Sequence, residues 1–140
     1  MTDGLKLYLN EVQSHIASNL TQLEELREDI LNQNFRPRDY RATERLLQLS
    51  TEACIGLAKH LTKKIQKVAA SDAYQAFKIL AENNFITLEE LAEWRKIIGM
   101  RNSLVHDYLN IDLQVLEQIL INQKYLTLSD FTNKAIHILK

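Results

Sequence analysis
The chain has 140 residues, with 17 basic and 18 acidic side chains, three glycines, one proline and one cysteine. That length fits one domain, predicted over residues 1–140. Turn residues this scarce, against average usage of about 7% Gly and 5% Pro, exclude a β-sandwich or barrel and any Gly-rich phosphate loop. No apolar run is long enough to cross a bilayer, the lone Cys54 cannot form an internal disulfide, and no Cys/His cluster has zinc spacing. The opening MTDGLKLYLNEV lacks the basic start and apolar stretch of a signal peptide. These features predict a reduced, soluble, cytoplasmic protein without a membrane segment.

Leu5, Tyr8, Leu9, Val12, Ile16, Leu20, Leu23, Leu26 and Ile30 follow helical spacing and predict a long first helix capped by Thr2 or Asp3. Asn34-Phe35-Arg36-Pro37 interrupts it, because Pro37 lacks a donor and drives Arg36 out of helical geometry. A second long helix, predicted antiparallel to the first, carries Ala42, Leu46, Leu49, Ala53, Leu57, Leu61 and Ile65 on one face. Gly56 inside it costs up to about 1 kcal/mol relative to Ala and predicts a close helix contact. Ala70-Ser71-Asp72 ends that helix and caps a shorter one through Ala73, Phe77 and Leu80, with Asn83-Asn84 at its end. Thr87-Leu88-Glu89-Glu90 is a capping box opening a helix predicted to reach about Tyr108, with Trp94 in its core-facing row. Asp112 starts a fifth helix and Thr127 or Ser129 a sixth. The fold class is therefore all-α, an antiparallel bundle of five or six helices. Cys54, in an apolar stretch, reads as a buried small residue, and His15, His60 and His137 as surface or packing residues.

The small net charge of −1 hides a segregated distribution. Residues 1–33 carry 2 basic and 6 acidic side chains, whereas residues 34–67 carry 8 and 3. Arg38, Arg41 and Arg45 form one helical stripe, and Lys59, Lys63 and Lys67 another. Such rows read either as solvated helix faces or as part of a phosphate track for RNA.

Chemistry is concentrated in residues 100–112, MRNSLVHDYLNID, where Arg101, His106 and Tyr108 lie within eight positions. At about 100° per residue Arg101 and Tyr108 share a face, whereas Arg101 and His106 point about 140° apart. Asn102 and His106 are neighbours one turn apart. The guanidinium and imidazole therefore do not converge within one straight helix. Either the helix loosens near His106, or a second protomer supplies the complementary group across a two-fold axis, which fits better. RNA carries its own nucleophile, the 2′-hydroxyl. An imidazole titrates where it can take that proton or protonate the 5′ leaving oxygen, and an arginine can hold the phosphate. Asn102 is placed to orient the imidazole or a phosphate oxygen. Asp107 adds a carboxylate beside this site, and its helical phase points it outward. The bland reading of the same residues is a favourable helix C-terminus, with cations on the dipole and a half-wet tyrosine.

Arg101-Asn-Ser-Leu-Val-His106-Asp-Tyr108 resembles the Arg, spacer, His-x-Tyr signature of HEPN-domain ribonucleases. Arg41-Ala-Thr-Glu-Arg45-Leu-Leu-Gln, Glu52-Ala-Cys-Ile, Phe77-Lys-Ile-Leu-Ala-Glu-Asn-Asn-Phe-Ile and Met100 through Asp112 are similar to the HepT family, toxins of HEPN–MNT (type VII) toxin–antitoxin pairs. The likeness covers about residues 38–125. It implies a HEPN bundle forming a homodimer, with Arg101 and His106 of both protomers lining a shared cleft, and cofactor-free, metal-independent cleavage of tRNA or mRNA. It further implies an MNT-family nucleotidyltransferase antitoxin that transfers AMP from ATP onto Tyr108. A non-catalytic HEPN module that binds nucleotide or scaffolds a nucleotidyltransferase is the second reading. A helical dimerisation adaptor is the third. The complete Arg-x4-His-x-Tyr pattern favours the enzyme.

Overall fold
The computed structural model describes residues 2–68 and 70–140; the side chain of Tyr108 lies outside that description. Six α-helices are found among the described residues: α1 (Asp3–Leu31), α2 (Pro37–Gln66), α3 (Ala73–Glu82), α4 (Leu88–His106), α5 (Leu113–Ile121) and α6 (Leu126–Leu139). A 3₁₀ turn, Tyr108–Asn110, separates α4 from α5.

The boundaries follow local chemistry. Thr2 caps α1 by accepting from the Leu5 N–H at 3.1 Å, and Asp72 caps α3 by accepting from the Gln75 N–H at 2.8 Å. At α4 the Glu90 N–H donates to Thr87 Oγ1 and the Thr87 N–H to Glu90 Oε1, both at 3.0 Å, so the capping box is complete. Asp112 caps α5 by accepting from the Gln114 N–H. Pro37 occupies the first position of α2, where its missing donor costs nothing.

α2 is the axis of the bundle and packs against all five other α-helices. It runs antiparallel to α1: Tyr8 meets Gly56 and lies against His60 with the rings tilted by 41°, while farther along Asn19 Nδ2 donates to Ser50 Oγ at 3.1 Å. A Cβ on Gly56 would stand 2.8 Å from the Tyr8 hydroxyl, so the close contact expected at this glycine is present. The buried face of α2 is rotated from the expected one. Leu49 and Ile65 are exposed and Ala42 lies outside, whereas Thr43, Ser50, Thr51, Cys54 and Thr62 are buried. The hydroxyls can be buried because they bond locally: Thr43 donates to the Asp39 carbonyl at 2.8 Å and Thr62 to the Lys59 carbonyl at 2.9 Å.

Trp94 on α4, 1% exposed, stacks on Phe77 of α3 at 4.2 Å and meets Phe131 of α6 edge-on at 5.0 Å. Each such pair adds about 0.5–1.5 kcal/mol beyond burial. This cluster fixes the front half of α4 and with it the direction of the motif-bearing half. The sixth helix begins at Leu126, earlier than the expected Thr127 or Ser129. The preceding Tyr125 is already helical and caps nothing with its side chain; a tight turn through Gln123 (φ 51°) launches the helix instead. No helix of the described residues is long and apolar enough to cross a membrane.

Candidate functional site
The helix carrying Arg101 ends at His106, two residues short of the expected Tyr108. Asp107 takes a non-helical conformation (φ −141°, ψ 39°), its N–H closing the last turn onto the Ser103 carbonyl at 2.8 Å. The break follows both Arg101 and His106, which stay in one helix and point about 140° apart; it takes only Tyr108 off the helical phase it would share with Arg101. Tyr108 opens the 3₁₀ turn; the role expected for its side chain lies outside the described residues.

Arg101 is half-buried, and its Nε is enclosed without a hydrogen-bond partner among the described residues. A buried guanidinium donor left unmet costs on the order of 1–3 kcal/mol or more, so this group is predisposed to an acceptor brought from outside. Asn102 and His106 are exposed, and no hydrogen bond joins Arg101, Asn102 and His106 to one another among the described residues. His106 is the last residue of α4. The carboxylate of Asp107 accepts from Asn110 Nδ2 at 2.7 Å, an anchor that the sequence reading did not anticipate.

Arg38, Arg41 and Arg45 lie exposed on the solvent side of α2. Arg41 is paired with Glu44 at 3.4 Å. No bond links this stripe to the motif among the described residues, and it is a separate surface feature. Exposed apolar side chains stand among the polar residues of the motif: Val105 is 38% exposed, Leu113 45% and Leu109 79%. Behind it, Ile97, Met100 and Leu104 of α4 line a cavity of about 220 Å³ with Leu47, Val115 and Ile119. Cys54 is fully buried; burial pushes its thiol up to about 12 against the lowering effect of the Thr132 hydroxyl, and it is no nucleophile. Trp94 is a core residue, and His15, His60 and His137 are exposed. No group of acidic, His and Cys side chains able to hold a metal occurs among the described residues.

Fold and site together define an all-α bundle of the HEPN type, presenting a guanidinium and an imidazole at the end of its fourth helix. Residues 16–135 match the family described as "Ribonuclease HepT-like". The chain belongs to that family. It is 39% identical over 71 residues to an mRNA nuclease HepT of Shewanella oneidensis, covering 49% of this chain and 53% of that protein. It is 37% identical over 70 residues to a tRNA nuclease HepT of Aphanizomenon flos-aquae, covering 50% of this chain and 48% of that one. The chain thus spans about half the length of the curated relatives it matches. Among solved structures, a tri-AMPylated Shewanella oneidensis HEPN toxin in complex with MNT antitoxin superposes with a TM-score of 0.79 at 22% identity, covering 96% of this chain and 97% of that one. A toxin–antitoxin with AMP-PNP gives 0.77 at 20% identity, over 96% and 99%.

Proposed function
We propose that the chain is a cytoplasmic RNA endonuclease, the toxin of a HEPN–MNT toxin–antitoxin pair, which cleaves tRNA or mRNA. The observation that carries this reading is the complete Arg101-x4-His106-x-Tyr108 pattern at the end of α4 in a HepT-like chain. Both curated relatives are named as RNA nucleases, one of mRNA and one of tRNA.

Arg101 holds the scissile phosphate and meets the charge that grows on its oxygens. An imidazole takes the proton of the 2′-hydroxyl. The 2′ oxygen bonds to phosphorus, the bond to the 5′ oxygen breaks, and a protonated imidazole supplies that oxygen with its proton. The products are a 2′,3′-cyclic phosphate and a 5′-hydroxyl, and DNA is inert because it lacks the nucleophile. Base and acid act on opposite sides of the phosphate, which one His106 cannot serve at once; a homodimer brings two. The exposed Val105, Leu109 and Leu113 around the motif offer the apolar surface such a dimer would cover. Asn102 orients the imidazole or a phosphate oxygen. Arg38, Arg41 and Arg45 supply salt-dependent RNA contacts away from the cleavage point. Acid–base help of this kind is worth about 10²–10⁴-fold, so the enzyme is modest in rate. The antitoxin is an MNT-family nucleotidyltransferase that adds AMP to Tyr108, and the added charge and bulk block a cleft that takes RNA phosphates.

Replacing His106 with Ala is expected to abolish RNA cleavage and growth arrest while the dimer persists. Cleavage that survives His106→Ala overturns the reading. Co-expression with the antitoxin is expected to add AMP increments to the intact mass, lost in Tyr108→Phe.

A further inference from the structure
We propose that Asn110 is a positioning residue that keeps the Asp107 carboxylate out of the phosphate path, an inference that rests on the ribonuclease reading above. Asp107 sits between His106 and Tyr108, where a free carboxylate would oppose an incoming polyanion. The turn after α4 binds it twice to the same residue. The Asp107 carbonyl accepts from the Asn110 N–H at 3.0 Å, and its Oδ1 accepts from Asn110 Nδ2 at 2.7 Å. The backbone bond shapes the 3₁₀ turn and needs no particular side chain. The second bond is specific to a carboxylate and an amide three residues apart, and it commits the charge to the turn.

The need for such a strap follows from the groups nearby. Arg101 has an enclosed Nε with no partner among the described residues, and His106 is the residue before Asp107. A released carboxylate would act as an internal rival to the substrate. It would compete with the phosphate for the imidazole beside it and repel the incoming polyanion. Asp107 and Asn110 are both exposed, so the strap is a modest bond and its loss a graded defect rather than a collapse. Competition of this kind weakens substrate capture and leaves the saturated complex intact, so KM rises while kcat holds.

The test uses the full chain and a fluorescein-labelled single-stranded RNA of mixed sequence, with KM, kcat and RNA Kd measured for the wild type and three variants. Asn110→Ala is expected to raise KM and Kd by about threefold to tenfold with kcat held within about twofold. Asp107→Ala removes the rival charge and is expected to stay within about twofold of wild type. The double variant is expected to match Asp107→Ala, so deleting the carboxylate rescues the loss of Asn110. A defect that persists undiminished in the double variant overturns the proposal, because Asn110 then acts through turn geometry alone. An Asn110→Ala protein indistinguishable from wild type overturns it as well. Absence of cleavage by the wild type would instead overturn the ribonuclease reading. The strap is then judged on RNA Kd in the same proteins, and it falls if Asn110→Ala leaves Kd unchanged.

Discussion

Replacing Gly56 with Ala sets two effects of similar size against each other. Gly56 lies inside α2, where Ala is the better helix former by about 1 kcal/mol. The new methyl group, however, would stand 2.8 Å from the Tyr8 hydroxyl, closer than side chains tolerate. Tyr8 is half-buried and its ring lies 4.8 Å from that of His60, tilted by 41°, so moving the phenol disturbs this contact of the α1–α2 seam. Overpacking of this kind costs about 1–3 kcal/mol. The net expectation for Gly56→Ala is a loss of about 0–2 kcal/mol. In a Tyr8→Phe background the obstructing oxygen is gone, and the same substitution is expected to stabilise by about 1 kcal/mol. The two backgrounds should therefore differ by about 1–3 kcal/mol, a coupling that a double-mutant cycle isolates. Urea unfolding followed by circular dichroism reads it: a 2 kcal/mol coupling moves the midpoint by about 1 M at a slope of about 2 kcal/mol per M. Gly56→Ala having the same effect in both backgrounds would refute the reasoning, since the hydroxyl would then not set the cost.

Two further outcomes follow from the interior. Tyr125 is 1% exposed and donates to Glu24 at 2.6 Å; burial, then that carboxylate, hold its phenol well above the ordinary 10.0. The protonated folded form is favoured, so this stability is full below about pH 10 and is lost as pH rises toward the folded pKa. Tyr125→Phe is expected to cost about 1.5–3 kcal/mol at neutral pH and to shallow the alkaline decline in the urea midpoint; an unchanged slope contradicts the assignment. Cys54 is expected to resist a thiol reagent in the native protein and to react along the unfolding curve, because its thiol is fully buried and pushed up to about 12. Native-state labelling at the rate of a free thiol would contradict its burial.

The first helix was legible from sequence because its buried residues, Leu9, Val12, Ile16, Leu23 and Leu26, all belong to the row its apolar spacing picks out, and the caps at Thr2, Asp72, Thr87 and Asp112 because each is a local bond. The second helix was read correctly at Leu46, Leu57 and Leu61, which are buried, but its face is rotated from the expected row. Its interior includes Thr43, Ser50 and Thr62, whose hydroxyls bond inside the protein and escape any hydropathy pattern, while Leu49 and Ile65 face solvent. The contact of Tyr125 with Glu24 joins positions 101 apart and had no local signal. At the site, the sequence supplied the residue types and their conflicting helical phases. It did not supply the helix end at His106, which is followed by a turn closed between Asp107 and Asn110. An acidic residue followed three positions later by Asn just past a helix end was the available signal. Asp107 was instead given a helical phase it does not have.

α4 is held unequally along its length. Its front is held by the capping box and by Trp94 between Phe77 and Phe131, whereas Ile97, Met100 and Leu104 line an open pocket without such an aromatic clamp. Cooperative openings begin where packing is thinnest, so amide protons along α4 should exchange on a gradient, slowest near Trp94 and fastest toward His106. The end that carries Arg101 and His106 is thus the more adjustable one, beyond an aromatic anchor at Trp94.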